Sequence, residues 1–171
     1  MISMSLYIYA YRLSKAVVEK NEDAFGDICL DLECSQLEND FWPPDIFDFF
    51  IDALNNETIC AMDGSCALLG TLSRDFEKLT QEQSAELFML FDLRADTFSD
   101  EMLRHSISNM IAYMYPPEMG MELFTKWKMS SFPRRQHMAQ VGFEVLLMAE
   151  RLNKNLASVA CDHLQELWQR K

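Results

Sequence analysis

The residues with the right types for chemistry are three histidines, His105, His137 and His163, and 27 acidic side chains. Glu101 and His105 stand one helical turn apart, a spacing at which a carboxylate and an imidazole can reach a common metal ion. A di-metal centre needs a second pair of that kind, and the sequence has none. His163 falls on an apolar stripe and reads as a hydrogen-bonded core histidine. Pairs of acids for hydrolysis can be drawn among so many carboxylates, yet nothing singles one out. The five glycines (Gly26, Gly64, Gly70, Gly120, Gly142) are scattered and build no phosphate loop, and no HExxH or GxSxG occurs. The five cysteines, Cys29, Cys34, Cys60, Cys66 and Cys161, are odd in number and form no CxxC, which suits reduced thiols and fits no zinc ligand set. The residue inventory therefore implies no enzyme, no metal and no cofactor, and directs attention to binding.

Charge is the informative feature. Residues 1–102 hold 21 acidic and 6 basic side chains, a net of −15, whereas residues 103–171 hold 6 acidic and 9 basic, a net of +3. Between Lys20 and Arg74 no Lys or Arg occurs, against 12 carboxylates. An ordinary solvated surface mixes signs, so this stretch asks for another explanation. In a helix opening at Pro44, Asp45, Asp48 and Asp52 recur at i, i+3 and i+7 and share one face, and Asp27, Asp31 and Glu38 make a similar row on the helix before it. Like charges so spaced cost a helix about 0.2–0.5 kcal/mol per pair. Asp45 and Asp48 recover part of that from the positive helix N-terminus, and Asp52 lies too far along. Carboxylates that folding alone does not reward point to a basic partner.

Aromatic residues are interleaved with these acids. Phe49 and Phe50 fall on the inward stripe of the helix at Pro44, while Phe47 faces away from it and Trp42 stands at its entrance. Phe47 and Trp42 are thus the expected aromatic anchors of a partner-binding face made of Asp27, Asp31, Glu38, Asp40, Trp42, Asp45, Phe47, Asp48 and Asp52. Charges speed association and a buried ring supplies affinity. The same negative potential should repel nucleic acid and anionic lipid. The basic residues near the end of the chain (Arg134, Arg135, Arg151, Lys154, Arg170, Lys171) are expected to pair with the acidic half or to complement helix C-termini.

The elements that must carry these residues are helices. Apolar residues make up 49% of the 171, with only five Gly and five Pro, and no stretch alternates as a strand would. Prolines at first-turn positions mark helix starts at Pro44, Pro117 and Pro133. Thr80 to Gln83 spells a capping box ahead of Ala85, Leu87, Phe88 and Phe91. Thr97 or Ser99 can cap a helix bearing Met102, Leu103, Ile107, Met110, Ile111 and Met114. Met138, Val141, Val145, Met148, Ala149 and Leu152 form another stripe, and Leu156, Val159, Ala160, His163, Leu164 and Leu167 the last. Further helices are expected near 4–20, 24–37, 57–71 and 117–128. About nine helices in antiparallel hairpins result, in a single all-α domain spanning 1–171, either a compact bundle or a short HEAT-like array. The array is suggested by Glu86-Leu87-Phe88 recurring as Glu122-Leu123-Phe124, 36 residues on.

The opening stretch lacks a basic start and a cleavage site, and nowhere do about 18 apolar residues run uninterrupted, so a cytoplasmic chain that does not enter membranes is expected. The acidic, all-helical pattern, with the stretch Asp40-Phe41-Trp42-Pro43-Pro44-Asp45-Ile46-Phe47-Asp48, resembles the immunity proteins of bacterial polymorphic toxin systems, including contact-dependent growth inhibition. That resemblance implies a monomer that binds a cognate toxin domain, commonly a basic nuclease, and blocks its action. The alternative is a helical adaptor or chaperone, in which Met110, Met114, Met119, Met121 and Met129 line a groove for an amphipathic helix.

Overall fold

A computed structural model describes residues 4–36 and 38–170. Among them are ten α-helices, one 3-10 turn and no strand, so the fold is all-α as the composition requires. The helices are α1 Met4–Glu19, α2 Glu22–Cys34, α3 Pro44–Asn55, α4 Glu57–Cys60, α5 Ala67–Arg74, α6 Gln81–Arg94, α7 Glu101–Met114, α8 Pro117–Lys128, α9 Pro133–Met148 and α10 Lys154–Gln169, with the 3-10 turn at Phe76–Lys78. The chain divides into two compact units, Met1–Leu103 and Arg104–Lys171, and the division falls inside α7. It also falls at the charge boundary, so the first unit carries the −15 and the second the +3.

In the first unit α1 packs on α2 and on α3, α2 on α5, and α3 on α4 and α6. Its core is built from Phe25, Ile28 and Leu32 of α2, Phe47, Phe50 and Leu54 of α3, Leu68 and Leu72 of α5, and Leu87 and Phe91 of α6, all buried. The turn from α1 to α2 is a Schellman motif: the Asn21 amide donates to Ala16 O (2.9 Å) and the Lys20 amide to Val17 O (3.3 Å), with Lys20 in the left-handed conformation at φ 52. Asn21 then caps α2 by accepting from the Ala24 amide at 3.0 Å. Only two residues separate the helices, so the chain folds straight back.

The expected helix over 57–71 divides in two. Asn56 caps α4 through the Thr58 and Ile59 amides, and the chain then turns through Gly64 at φ +86 before α5 begins. A left-handed residue cannot sit inside an α-helix, and glycine adopts that conformation without steric cost. The Thr80–Gln83 capping box is present as expected: the Gln83 amide donates to Thr80 Oγ1 (3.1 Å) and the Thr80 amide to Gln83 Oε1 (3.0 Å). The cap ahead of α7 is neither Thr97 nor Ser99. Asp100 takes that place, accepting from the Leu103 amide at 2.7 Å.

In the second unit α9 packs on α8 and α10, and α8 also meets α10. Phe124 and Trp127 of α8 and Phe143 of α9 form its centre, with ring centroids 5.9 and 5.8 Å apart from Phe124. Gly142 lies against the Phe124 ring, and a side chain there would overlap it, so close approach of α8 and α9 requires that glycine. Met148 and Met102, expected on inward stripes, are exposed instead.

Candidate functional site

The first unit has a groove of about 540 Å³ between α1 and α3. Leu6, Ala10 and Leu13 of α1 and Pro44, Phe49 and Ala53 of α3 give it an apolar lining. Asp45, Asp48 and Asp52 line it as well, so the carboxylate row read from the sequence borders an apolar surface. The placement follows from helical geometry. Positions 45, 48, 49, 52 and 53 lie on one side of α3, while Phe47, Phe50, Ile51 and Leu54 are buried on the other. Tyr7 completes the lining from α1, with its side chain 64% exposed.

The charge of this row is not offset within the unit. Of the six basic side chains in residues 1–103, five pair with other acids: Arg12 with Asp31 (2.8 Å), Lys15 with Glu19 (3.8 Å), Arg74 with Glu33, Lys78 with Asp75 (3.5 Å) and Arg94 with Glu57 (3.4 Å). Among the described residues none of Asp45, Asp48 and Asp52 makes an ion pair. Asp45 accepts from the Ile46 amide at 3.0 Å and is the one acid of the row in the first turn of α3. Asp48 lies beyond that turn, so the relief expected for it from the helix dipole is largely absent.

The structure does not gather the nine expected binding residues onto one face. Asp27 lies beside a second, smaller hollow lined by Arg12, Lys15, Ala16 and Glu19, on the side of α1 opposite the groove. Asp31, on the same helix, is tied to Arg12. Glu38 and Asp40 are exposed in the link between α2 and α3.

Trp42 and Phe47 are buried and offer no ring to a partner, which corrects the reading of both as exposed anchors. Trp42 instead fixes the start of α3. Its indole Nε1 donates to Asp75 O (2.9 Å), its amide to Lys78 O (3.1 Å), and its carbonyl accepts from Gln83 Nε2 (3.2 Å). Its ring meets Phe50 edge-on at 5.5 Å. Phe47 is buried because α3 has neighbours on several sides, α1, α4 and α6, so its apolar arc is wider than one stripe. In the first unit the rings that reach solvent include Tyr7, at the groove, Tyr11, one turn further along α1, and Phe41, next to Asp40. Tyr7 left one signal in the sequence: with Tyr11 it forms an i, i+4 pair outside the inward stripe of α1, and both rings are exposed.

The second unit holds a polar cluster of its own. Lys128 is buried, and its Nζ donates to His163 Nδ1 (2.7 Å) and to the Glu166 carboxylate. That leaves His163 Nε2 as the protonated nitrogen, facing Thr125 Oγ1 at 3.4 Å, and the ring stacks on Phe143 at 5.0 Å. Burial, then the Lys128 charge, lowers the His163 pKa. His163 thus has the structural surroundings read for it. Arg151 donates to the Ala112 and Tyr115 carbonyls at the end of α7, and Arg170 to Lys128 O at the end of α8 (3.2 Å), so two C-terminal cations do complement helix ends. Of the five clustered methionines, Met110 and Met121 are core, while Met114, Met119 and Met129 are exposed.

No protein-family model, no curated protein and no solved structure matches this chain. Among the described residues no helix is long and apolar enough to cross a membrane.

Proposed function

We propose that the chain is a non-catalytic binding protein whose α1–α3 groove grips a basic surface of a partner protein in the cytoplasm. The observation that supports this reading is the join of two features that are usually separate. An apolar groove large enough for several side chains is bordered by three carboxylates, while the basic side chains nearby in sequence are spent on other acids. Like charges on one helix face oppose folding slightly. A basic partner turns that cost into attraction, and the apolar lining supplies the buried area that a rim of charges alone lacks.

The resemblance to toxin-immunity proteins names the class of partner. It is a basic toxin domain, a nuclease in the commonest case, held in a complex that blocks its action. In this reading Asp45, Asp48, Asp52, Tyr7 and Phe49 make the contact, and Trp42 and Phe47 set the position of α3. The test is to mix the purified chain with the toxin domain encoded beside it and measure affinity at low and high salt. A 1:1 complex that weakens with salt, and weakens again in Asp45→Lys, Asp48→Lys and Asp52→Lys, supports the reading. Affinity untouched by all three reversals puts the contact elsewhere. If Met114 or Met129 substitutions then weaken it, the adaptor alternative takes over.

A further inference from the structure

The first unit exposes apolar side chains that the α1–α3 groove does not use. Met89 and Leu93 stand one turn apart on α6, 62% and 72% exposed. They line a second groove, of about 480 Å³, whose floor includes the buried Leu90 of α6 and Ile51 of α3. Glu82 and Glu86 line it as well. Along α6 the residues Glu82, Glu86, Met89 and Leu93 fall at i, i+4, i+7 and i+11, so one stripe carries two carboxylates and then two apolar side chains. Among the described residues neither glutamate makes an ion pair. Arg94, at the other end of the groove, is turned to Glu57 (3.4 Å) and to the Asn55 carbonyl (2.9 Å). The second groove thus repeats the chemistry of the first, an apolar floor bordered by carboxylates that no ion pair neutralises.

Only α3 separates the two grooves. Successive residues turn by about 100° around a helix. That puts Asp48 and Asp52 on the outer crest of α3, Phe49 and Ala53 on its α1 side, and Ile51 and Asn55 on its α6 side. A helix with its side chains is about 10–12 Å across, so one partner face can reach into both grooves. We propose that a basic partner protein binds across α3 and fills both grooves at once, with Asp48 and Asp52 at the centre of the contact and Glu82, Glu86, Met89 and Leu93 as its second half. Charge selects this occupant over a second copy of the chain, which would bring one unit of net −15 against another. Size supports the span. A specific interface takes roughly 20–30 residues a side; thirteen residues line the first groove and nine the second, so the pair reaches that range where neither groove does alone. The inference rests on the reading of the α1–α3 groove as the grip on a basic partner. It supplies the exposed apolar anchors that the buried Trp42 and Phe47 do not.

The test is the calorimetric affinity of the full chain for the toxin domain encoded beside it, at low and high salt. Met89→Gln/Leu93→Gln removes the apolar pair without changing charge. It is expected to weaken the complex by about tenfold or more and to leave the salt dependence as it is in the wild type. Glu82→Gln/Glu86→Gln is expected to weaken the complex at low salt and to flatten its salt dependence. Val18→Gln changes a side chain of α1 that is 82% exposed and lines neither groove, and should leave affinity unchanged. All the substituted side chains of α6 are exposed, so the fold should be kept, with circular dichroism as the control. Wild-type affinity in both α6 variants, alongside weakening by Asp48→Lys/Asp52→Lys, overturns the inference and leaves the α1–α3 grip standing. Weakening in the α6 variants but not in the Asp reversal overturns the span across α3 and the reading it rests on. Absence of any complex with the wild-type chain overturns both.

Discussion

Replacing Asp48 and Asp52 by Asn in one variant should stabilise the free protein while weakening its complex. The first effect follows from α3. Asp45 and Asp48 stand at i, i+3 and Asp48 and Asp52 at i, i+4, and none of the three makes an ion pair among the described residues. The double variant removes both repulsive pairs and leaves Asp45, which the helix N-terminus favours. At about 0.2–0.5 kcal/mol per pair the gain is about 0.4–1 kcal/mol. For a chain of this length that is a rise in Tm of about 1–4 °C. The gain should shrink as salt rises, because screening removes the repulsion in the wild type too. Thermal melts by circular dichroism at low and high salt measure it. A double variant that melts at or below the wild-type temperature at low salt refutes the claim that this row opposes folding. The argument that it exists for a partner then loses its footing.

Other outcomes follow from the same structure. Gly142→Ala gains about 1 kcal/mol of helix propensity but drives a methyl group into the Phe124 ring, and overpacking costs about 1–3 kcal/mol, so a net loss of up to about 2 kcal/mol is expected in denaturant melts. Gly26→Ala meets nothing within 4 Å and should instead stabilise by about 0.5–1 kcal/mol. His163 binds a proton less readily in the folded chain than in the unfolded one, so stability should fall as pH drops through and below the ordinary imidazole value of 6.5; His163→Gln should flatten that slope in melts run from pH 7.5 to 5. Thiol titration of the native chain should find Cys34 and Cys161 reactive, since both are exposed, while Cys29 and Cys60, which burial pushes up to about 12, stay inert until denaturant is added. Equal reactivity of all the thiols would mean that α2 and α4 are not packed as described.

The helices were readable where the chain announces them locally. Proline at the first position of α3, α8 and α9 and the Thr80–Gln83 box each act within one turn, so they survive the absence of tertiary information. The caps at Asn21, Asn56, Asn153 and Asp100 are equally local but ambiguous in sequence, because asparagine and aspartate also serve ordinary turns. Periodicity misled where a helix has several neighbours. A single-stripe reading places Phe47 outside, but α3 is covered by α1, α4 and α6 and buries it. The Asp45–Asp48–Asp52 row was visible from spacing alone, whereas the groove beside it needs α1, and nothing in the sequence pairs α1 with α3. His137 beside His105 is the same kind of fact, since two rings from different helices meet only once the chain has folded.

The most direct test of the central claim is protection in cells. The toxin domain encoded beside this chain is expressed with wild-type chain, with Asp48→Lys/Asp52→Lys, or with neither, and viable cells are counted. The account predicts killing without the chain, survival with the wild type, and killing restored by the double reversal, with equal amounts of folded chain in both cases. Survival with the reversed chain, or killing despite the wild type, would contradict it.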